Sequence, residues 1–336
     1  MILAGISELF SHHRSVLLGL VALFASAAAQ ASEPIYVKNL NPVRGLLGIP
    51  SQRAAFIPSA GNFDLALHGS LANTYLLDVD ASEALNLDGE TLRFALEGRY
   101  ALADNWDLQL EVPWLQHSGG QLDSVIDGWH DFWSMPDGGR PEVKRDLLDY
   151  RYGNGDHSFA LLDDASGLGD ITLSTSYVFY NDGGTSSAVV AGYKFATGDD
   201  DKFLGSGGDD AYLALRFSGR HLADLPLTWH GQLGYLRAGS SELMGTRQER
   251  DLWFAGLSLD WAAFNQVSVI GQVDIQAAPM NSEITGMGDE AVMLSLGMSW
   301  RFLPHWSADF NFVEDAAPET APDIILQASI RYRSSD

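Results

Sequence analysis

The sequence predicts an all-β protein, a transmembrane antiparallel up-and-down β-barrel of about twelve strands. From Asn62 onward, apolar residues recur at every second position in segments of about ten residues. Short polar turns and longer loops rich in Gly and Asp alternate between these segments. Aromatic residues gather at the segment ends, where a membrane barrel meets the lipid headgroups. No segment after the N-terminal region has the unbroken apolar length of a membrane-spanning helix.

The chain begins with a predicted signal peptide, residues 1–31. Arg14 precedes an apolar and small run over residues 15–29, and small residues place the cleavage point after Ala31. The run is too short for a lasting anchor, which needs about 20 apolar residues. Glu8 makes the leading region less basic than usual, which leaves an uncleaved anchor as the alternative. We therefore expect export through the periplasm to a bacterial outer membrane.

The acidic composition and the absence of cysteine exclude several kinds of partner and site. The formal net charge is −24, and the removed segment carries one arginine and one glutamate, so processing leaves it unchanged. Nucleic acid is not an expected partner, because binding to phosphates needs the opposite charge. The absence of cysteine excludes thiolate metal sites and disulfides. No cofactor is expected.

Residues 32–61 precede the first strand and form either a periplasmic lead-in or a partial plug. Their prolines exclude a central strand or a long helix. Their apolar residues are too many for a purely solvated tail, which favours packing against another part of the protein. The prolines are Pro34, Pro42, Pro50 and Pro58, and the apolar residues are Leu40, Leu46, Leu47, Ile49, Phe56 and Ile57.

The barrel itself is predicted over residues 62–333. Five connections are short, after every second strand, and the others are longer, including an extracellular loop over residues 117–168. With the short turns in the periplasm, both chain ends lie there, as an even strand number requires. The strands are placed near residues 62–77, 90–101, 105–116, 169–180, 187–197, 209–219, 226–237, 251–262, 266–277, 290–302, 305–314 and 323–333.

Aromatic residues beside the short turns predict an interfacial girdle, with cross-strand packing in a soluble sheet as the alternative. They are Tyr100, Trp106, Trp261, Trp300, Phe302 and Trp306. The last strand, ending near Tyr332, resembles the targeting strand recognised by the outer-membrane assembly machinery, although residues 333–336 follow it. Expected partners are therefore the barrel assembly machinery during insertion, outer-membrane lipids and lipopolysaccharide.

The strand alternation places residues of both charge signs on the inner face. Inside a barrel, charges need water or a partner, so they line either a narrow wet pore or an occluded lumen. The pore-lining candidates are Arg93, Glu97, Arg99, Asp107, Glu111, Lys194, Arg216, Asp260, Asp274, Arg301, Asp309 and Arg331, and His230 shares this face.

The long loop mixes aromatic and acidic residues over positions 126–133 and continues into a turn-forming stretch. Loops of this length are usually functional or disordered. We expect a short amphipathic helix that folds over or into the barrel mouth. The constriction candidates are Trp129, His130, Phe132, Trp133 and Arg140. His130 lacks the partner spacing of a metal site, so structural packing is the expected role.

Two acidic loops carry candidate ligands for a weakly bound divalent cation, because hard cations prefer clustered carboxylates. The candidates are Asp199, Asp200, Asp201, Asp209 and Asp210. Their spacing differs from that of an EF-hand, and solvated loops without a ligand are the alternative.

The sequence contains only weak signals for a catalytic site. His68 shares a strand face with Ser70, and His117 adjoins Ser118, but neither pair has a nucleophile elbow. No catalytic residue is assigned, and an enzyme is not expected.

Several short motifs resemble a known family. Asn41-Pro42, Gly48-Ile49-Pro50, residues 126–140 and Gly167-Leu168-Gly169-Asp170 are similar to those of a proteobacterial outer-membrane family of unknown function. The stretch 194–199 with Gly205-Ser206-Gly207 is similar to one in outer-membrane proteins assigned to aromatic-compound transport. The resemblance implies a barrel and a transport role.

The sequence therefore predicts an outer-membrane channel or porin-like protein for passive passage of small solutes, narrowed by the long loop. A closed structural or adhesive barrel is the alternative, followed by a lipid-modifying enzyme. The acidic surplus predicts a preference for cationic or neutral solutes over anions.

Overall fold

Fifteen strands account for most of the structure in the described part of the chain. The computed structural model describes residues 33–120, 147–222, 225–317 and 319–334. The strands are β1 (Phe63–Val79), β2 (Ala84–Ala103), β3 (Trp106–Ser118), β4 (Asp149–Gly153), β5 (Ser158–Leu161), β6 (Ala165–Leu168), β7 (Thr172–Asn181), β8 (Thr185–Lys194), β9 (Asp210–Gly219), β10 (Leu227–Arg237), β11 (Asp251–Phe264), β12 (Val267–Gln276), β13 (Ala291–Leu303), β14 (Trp306–Asp315) and β15 (Ile324–Arg333).

Among the residues that the structure describes, helical structure is confined to single turns. Three short 3-10 helices cover Arg44–Leu46, Asp200–Lys202 and Gly245–Arg247, and a one-turn α-helix covers Thr285–Gly288. In the described ranges, no helix is long and apolar enough to cross a membrane.

Twelve of the strands form a closed antiparallel barrel. β1, β2, β3 and β7 to β15 pair in chain order, and β15 closes the wall against β1 from Asp64↔Arg333 to Asn73↔Ile324. Closure leaves no unpaired strand edge, which is the condition for a sheet to lie in lipid. The predicted twelve-stranded barrel is confirmed.

One end of the barrel carries the short connections and is called the turn end; the other is called the loop end. The turns span residues 104–105, 182–184, 220–226, 265–266 and 304–305. The turn after β7 is built by Asp182, whose carboxylate accepts hydrogen bonds from the backbone of Gly184 and Thr185. Gly183 there has a φ of 87°, which suits glycine. These turns match the short connections predicted from the sequence.

The first hairpin differs from the prediction. We expected a loop between about residues 78 and 89, but β1 and β2 continue past the wall and only residues 80–83 connect them. Leu85 and Leu87 explain the extension, because they share the inward parity of Arg93 and are fully buried. Beyond the wall, at the loop end, the inward face of β2 thus changes from charged to apolar.

The region predicted as one loop over residues 117–168 also contains strands. β4 pairs with the extension of β2, β5 pairs with β4, and β6 pairs with the loop end of β3. Each has only four or five residues, too few to show a clear alternation in the sequence.

Apolar side chains cover the outside of the wall. Leu67, Leu96 and Leu257 project outward at mid-strand, each about half exposed to the surroundings. The aromatic residues beside the short turns also face outward, as the girdle prediction requires: Tyr100, Trp106, Trp261, Trp300 and Trp306. Near the loop end, Phe94 and Trp114 form a second aromatic contact with ring centroids 6.2 Å apart. An apolar band between aromatic rims is typical of a barrel embedded in lipid.

An apolar cluster covers the loop end on the inside. It combines β4 and β5 with residues from the long connections and from the chain before β1. Its largest buried side chains include Tyr150, Tyr152, Phe159, Phe203, Met244, Phe254, Met280 and Met287, and residues Val43, Leu46, Leu47 and Ile49 join it. We refer to this set as the loop-end cluster.

Candidate functional site

The inward charges lie where the alternation predicts. Eleven of the twelve candidates are buried within the described barrel, and the twelfth, Arg301, is partly exposed at the turn end of β13. The buried ones are Arg93, Glu97, Arg99, Asp107, Glu111, Lys194, Arg216, Asp260, Asp274, Asp309 and Arg331.

Residues 33–58, here called the N-terminal segment, lie among these side chains. Wall residues on opposite sides of the barrel bind its backbone: Lys194 Nζ donates to Leu46 O at 2.9 Å, and Gln272 Nε2 donates to Ile35 O at 3.1 Å. Further contacts join Gln232 to Pro50, Gln52 to Asp274, and Ala55 to both Ser186 and Ser218. Because these partners surround the segment, it occupies the barrel interior.

The segment runs from the turn end to the loop end and back. Its two arms are joined by Ser51 Oγ, which donates to Val37 O at 2.6 Å, and by Lys38 Nζ, which donates to Ile49 O at 2.9 Å. At the far point, the turn after Asn41 enters the loop-end cluster. The segment is therefore a hairpin-shaped strap with an apolar tip and polar arms.

No backbone–backbone hydrogen bond joins residues 33–58 to a wall strand in the part of the chain that the structure describes. Side chains make the contacts instead. The prolines account for much of this, since they remove backbone donors and prevent strand pairing. The wall can therefore keep all its own hydrogen bonds whether or not the strap is present.

A first ionic layer lies at mid-barrel. Arg93 and Glu111 of adjacent strands pair at 2.6 Å, and Lys38 of the strap approaches Glu111 at 3.6 Å. The Tyr36 hydroxyl accepts a hydrogen bond from Arg93, and its ring stacks on His68 with centroids 3.8 Å apart. The strap thus supplies one cation and one ring to a pair formed by two of the predicted inward-facing residues.

A second ionic layer lies nearer the turn end. Arg53 of the strap pairs with Glu97 of β2 and lies 3.6 Å from Glu33. Arg99 of β2 pairs with Asp107 and lies 3.5 Å from Glu33. Burial disfavours the charged form of Glu33, but Arg53 and Arg99 outweigh it and hold the pKa of Glu33 well below its usual range.

A third charged group lies at the loop end. Lys194 Nζ bonds to Asp170 at 2.8 Å and lies 3.1 Å from Asp210, and Asp210 accepts a hydrogen bond from the Gly48 backbone at 2.8 Å. Asp170 also accepts from Gly198 in the connection after β8. This group fastens the tip of the strap to the wall and to the neighbouring loop.

The remaining lumen candidates have mixed surroundings. Arg216 donates to Gln232 at 3.0 Å, Arg331 lies 3.9 Å from Asp309, and Arg301 donates to the backbone of Asn265 at 3.0 Å. The sequence identified these wall charges because alternation marks the inward face. It missed the charges of the strap, whose prolines hide any periodicity.

The acidic loop residues are used by protein donors. Asp199 pairs with Lys202 at 2.7 Å, and Asp209 accepts from the Tyr193 hydroxyl and the Ala196 backbone. Asp210 points inward to Lys194, away from this surface. Within the described ranges, no group of three His, Asp or Glu side chains is placed to hold a metal ion. The other two candidate ligands, Asp200 and Asp201, lie in the 3-10 helix before Phe203.

Each of the two histidines hydrogen-bonds to a residue other than the serine paired with it in the sequence analysis. His68 hydrogen-bonds to Ser329 at 2.7 Å, across the closing strand pair. His117 bonds to Thr91 and to the Phe203 backbone, beneath the loop-end cluster. The constriction candidates Trp129, His130, Phe132, Trp133 and Arg140 lie outside the described residues.

Three cavities lie between the strap and one side of the wall. The cavity nearest the loop end, about 40 Å³, is lined by Lys194, Asp170, Lys38 and Glu111. The middle cavity, about 10 Å³, shares Lys38 and Glu111 with it and reaches Glu97 and Arg216. The third, about 150 Å³, opens at the turn end and includes Glu33 and Arg99. The three form an interrupted polar row along the barrel.

Solved structures with the same architecture are outer-membrane barrels. The COG4313 outer membrane channel from Pseudomonas putida F1 has 13% identity and a TM-score of 0.55, covering 83% of this chain and 97% of that chain. At this identity the likeness shows the fold alone. The NanC porin (6% identity, TM-score 0.46, 80% and 98% covered) and the Ralstonia pickettii toluene transporter TbuX (12% identity, TM-score 0.38, 83% and 90% covered) are weaker matches from which nothing is argued.

The family assignment comes from the sequence. No curated protein matches the chain significantly. A family model described as protein of unknown function (DUF3187) matches residues 13–334. The resemblance to an outer-membrane family of unknown function is thereby confirmed, and the chain belongs to the DUF3187 family.

Proposed function

We propose that the protein is an outer-membrane channel for small solutes whose lumen is closed at rest by the strap, residues 33–58. The observation that carries the proposal is the row of three polar cavities between strap and wall. Ion pairs interrupt the row, and the Lys38–Glu111 contact at 3.6 Å borders two of the cavities. Movement of the polar arms would join the cavities into one path.

The strap is suited to move because of how it is held. Its tip, Val43 to Ile49, packs in the loop-end cluster and is also fastened by hydrogen bonds to Lys194 and Asp210. Its arms are held by side-chain hydrogen bonds and ion pairs, which water can replace. The arms would therefore yield first, while the tip and the wall stay in place.

A closed structural or adhesive barrel is the second candidate. The observation that favours it is that many inner charges already have partners, as in the Arg93–Glu111 and Arg99–Asp107 pairs. A channel differs from a scaffold in one measurable way, since only the channel conducts when the arms are displaced.

A reversible lock tests the channel. Ala55 N lies 2.8 Å from Ser218 Oγ, so the double variant Ala55→Cys, Ser218→Cys places two thiols at one contact between strap and wall. The natural chain has no cysteine, so this is the only disulfide that can form. In planar bilayers we expect discrete openings from the reduced protein, their loss on oxidation, and their return with a reductant.

The matched control is the single variant Ala55→Cys, which changes the same residue but cannot form the lock. Equal conductance of the oxidised and reduced double variant would exclude gating by the strap. If the natural protein and a variant with weakened arms both fail to give discrete openings, the closed scaffold is the better description.

The long loop is a further part of the proposal. We propose that it narrows the loop end through Trp129, His130, Phe132, Trp133 and Arg140, which mix aromatic and charged chemistry at a predicted mouth. Deletion of residues 120–140 should then raise the single-channel conductance. An unchanged conductance would assign the restriction to the strap alone.

Export and insertion complete the proposal. Residues 1–31 would be removed during export, and the barrel assembly machinery would insert the chain beside lipopolysaccharide. Glu33 lies at the turn end, on the periplasmic side that the topology prediction gives to the mature N-terminus. N-terminal sequencing of the outer-membrane protein should give Ser32 first; Met1 would overturn the cleavage.

A further inference from the structure

The cavity at the turn end has a charge opposite to that of the whole chain. Its volume is about 150 Å³, the size of a cavity that accommodates benzene. Four arginines line it against two acids, so the ionised side chains leave a surplus of two positive charges. The arginines are Arg99, Arg220, Arg301 and Arg333, and the acids are Glu33 and Asp64.

The two acids do not pair with all four arginines. Glu33 faces Arg53 and Arg99 from the strap side, and Arg99 already pairs with Asp107. Within the described ranges, neither Arg220 nor Arg333 forms a side-chain ion pair. Arg220 Nε is buried there without a hydrogen-bond partner. The surplus is therefore concentrated on two guanidinium groups from different parts of the wall.

Apolar surfaces complete the lining. Phe56 lies under Arg220, with the guanidinium carbon 4.4 Å from the ring centroid. Ile57 and Pro58 continue this surface along the strap. Stacking on Phe56 orients the guanidinium of Arg220 but leaves its edge able to bind an oxyanion.

We propose that this cavity binds small organic carboxylates, with Arg220 and Arg333 holding the carboxylate and Phe56 and Ile57 contacting the apolar part. Guanidinium groups bind carboxylates through paired, charge-assisted hydrogen bonds. The apolar lining selects an organic anion over inorganic phosphate, which has no surface to place there. The consequence for transport rests on the proposed channel: the solutes that pass the turn end are organic anions.

This preference is opposite to the one that the net charge predicts. The surplus of acids belongs to the chain as a whole, whereas the mouth is lined mainly by arginine. Local charge sets the selectivity of a site, because fields at a narrow opening are dominated by the nearest groups.

Binding is tested with 4-fluorobenzoate as the probe and fluorine NMR of the purified full chain in detergent. We expect saturable broadening of the probe signal and its reversal by benzoate. Benzamide, the uncharged analogue, and inorganic phosphate, the anion without an apolar part, should both compete at least tenfold more weakly. If benzamide competes as well as benzoate, the charge plays no part; if phosphate does, the apolar part plays none, and either result overturns the proposal.

Variants locate the site. Arg220→Gln and Arg333→Gln should each weaken binding about tenfold, because a hydrogen bond to a charged group is lost. Arg333→Lys should retain most of the affinity. The control is Arg151→Gln, which removes an exposed arginine at the loop end, where Arg151 pairs with Asp149 at 2.7 Å. Equal losses in Arg151→Gln and Arg333→Gln would refute the site, as would the absence of saturable binding in the natural protein.

The proposed anion site and the proposed channel can be refuted independently of each other. A protein that conducts but does not bind 4-fluorobenzoate retains the channel and loses the anion site. A protein that binds the probe but never conducts retains the site and loses the channel. Gel mobility of unheated samples confirms in each case that the variant barrel is folded.

Discussion

Arg53 is the residue whose removal should open the barrel most. It is buried and lies between two carboxylates, pairing with Glu97 of the wall and lying 3.6 Å from Glu33 of its own strap. The substitution Arg53→Met keeps the length of the side chain and removes its charge. Glu97 then keeps the hydrogen bond from Gln109, at 2.8 Å, and the contact with His68, at 3.9 Å. Glu33 keeps Arg99, at 3.5 Å, and the hydrogen bond from the Ala54 backbone, at 3.0 Å.

The magnitude follows from the cost of leaving buried charges without their partner. Breaking a buried ion pair by removing one member costs about 3–5 kcal/mol. The cost applies to the docked strap, because both carboxylates regain water when the arms leave. At about 1.4 kcal/mol per tenfold change, the ratio of open to closed states should rise roughly 100-fold to several thousand-fold.

Single-channel recording measures this ratio as the open probability. Arg53→Lys is the matched variant, since it retains the charge, and should stay within about tenfold of the natural protein. Arg237→Gln removes an exposed arginine paired with Asp251 and should have no effect. An open probability in Arg53→Met within twofold of the natural value would refute the assignment of the second ionic layer as the closing contact.

Further predictions concern pH, the loop-end cluster and the membrane face. Docking of the strap lowers the pKa of Glu33 below its ordinary value of 4.5. The ionised carboxylate therefore stabilises docking fully above pH 4.5, and this stabilisation is lost as the pH falls from 4.5 through the lowered pKa. Acidification should raise the open probability more in the natural protein than in Glu33→Gln. Phe203→Ala should lower the free energy of unfolding by about 3–5 kcal/mol in denaturant titrations, because the ring is fully buried in the loop-end cluster. Leu257→Arg, on the outer face at mid-strand, should destabilise the inserted barrel by about 2–4 kcal/mol, whereas Leu77→Arg, on the extension beyond the wall, should cost much less; equal costs would place the membrane elsewhere.

The wall was predictable because lipid enforces a strict rule. A residue such as Leu96 must face hydrocarbon and its neighbour Glu97 must face the lumen, so every second position carries the same information. Outside the membrane, apolar residues no longer need to face outward. Leu85 and Leu87 alternate as clearly as the wall residues, but they face inward to the loop-end cluster, and this reversal concealed the extension of the first hairpin.

The interior was predictable in its composition but not in its pairing. Alternation shows that Asp274 points inward, but it cannot show that its partner is Gln52, which is 222 positions away in the chain. The site at the turn end was missed for the same reason. Arg220 lies in a turn and Arg333 at the end of the last strand, so only closure of the barrel brings them to one cavity.

The position of the strap at the start of the chain constrains the order of assembly. Its contacts join residues as distant as Asn39 and Thr320, 281 positions apart, and Ile35 and Gln272, 237 positions apart. Contacts of such separation form late, because a long loop of chain must first be closed. We therefore expect the apolar tip to remain exposed until β15 meets β1, so that the nascent barrel must be shielded from aggregation and must seal around a chain already threaded through it.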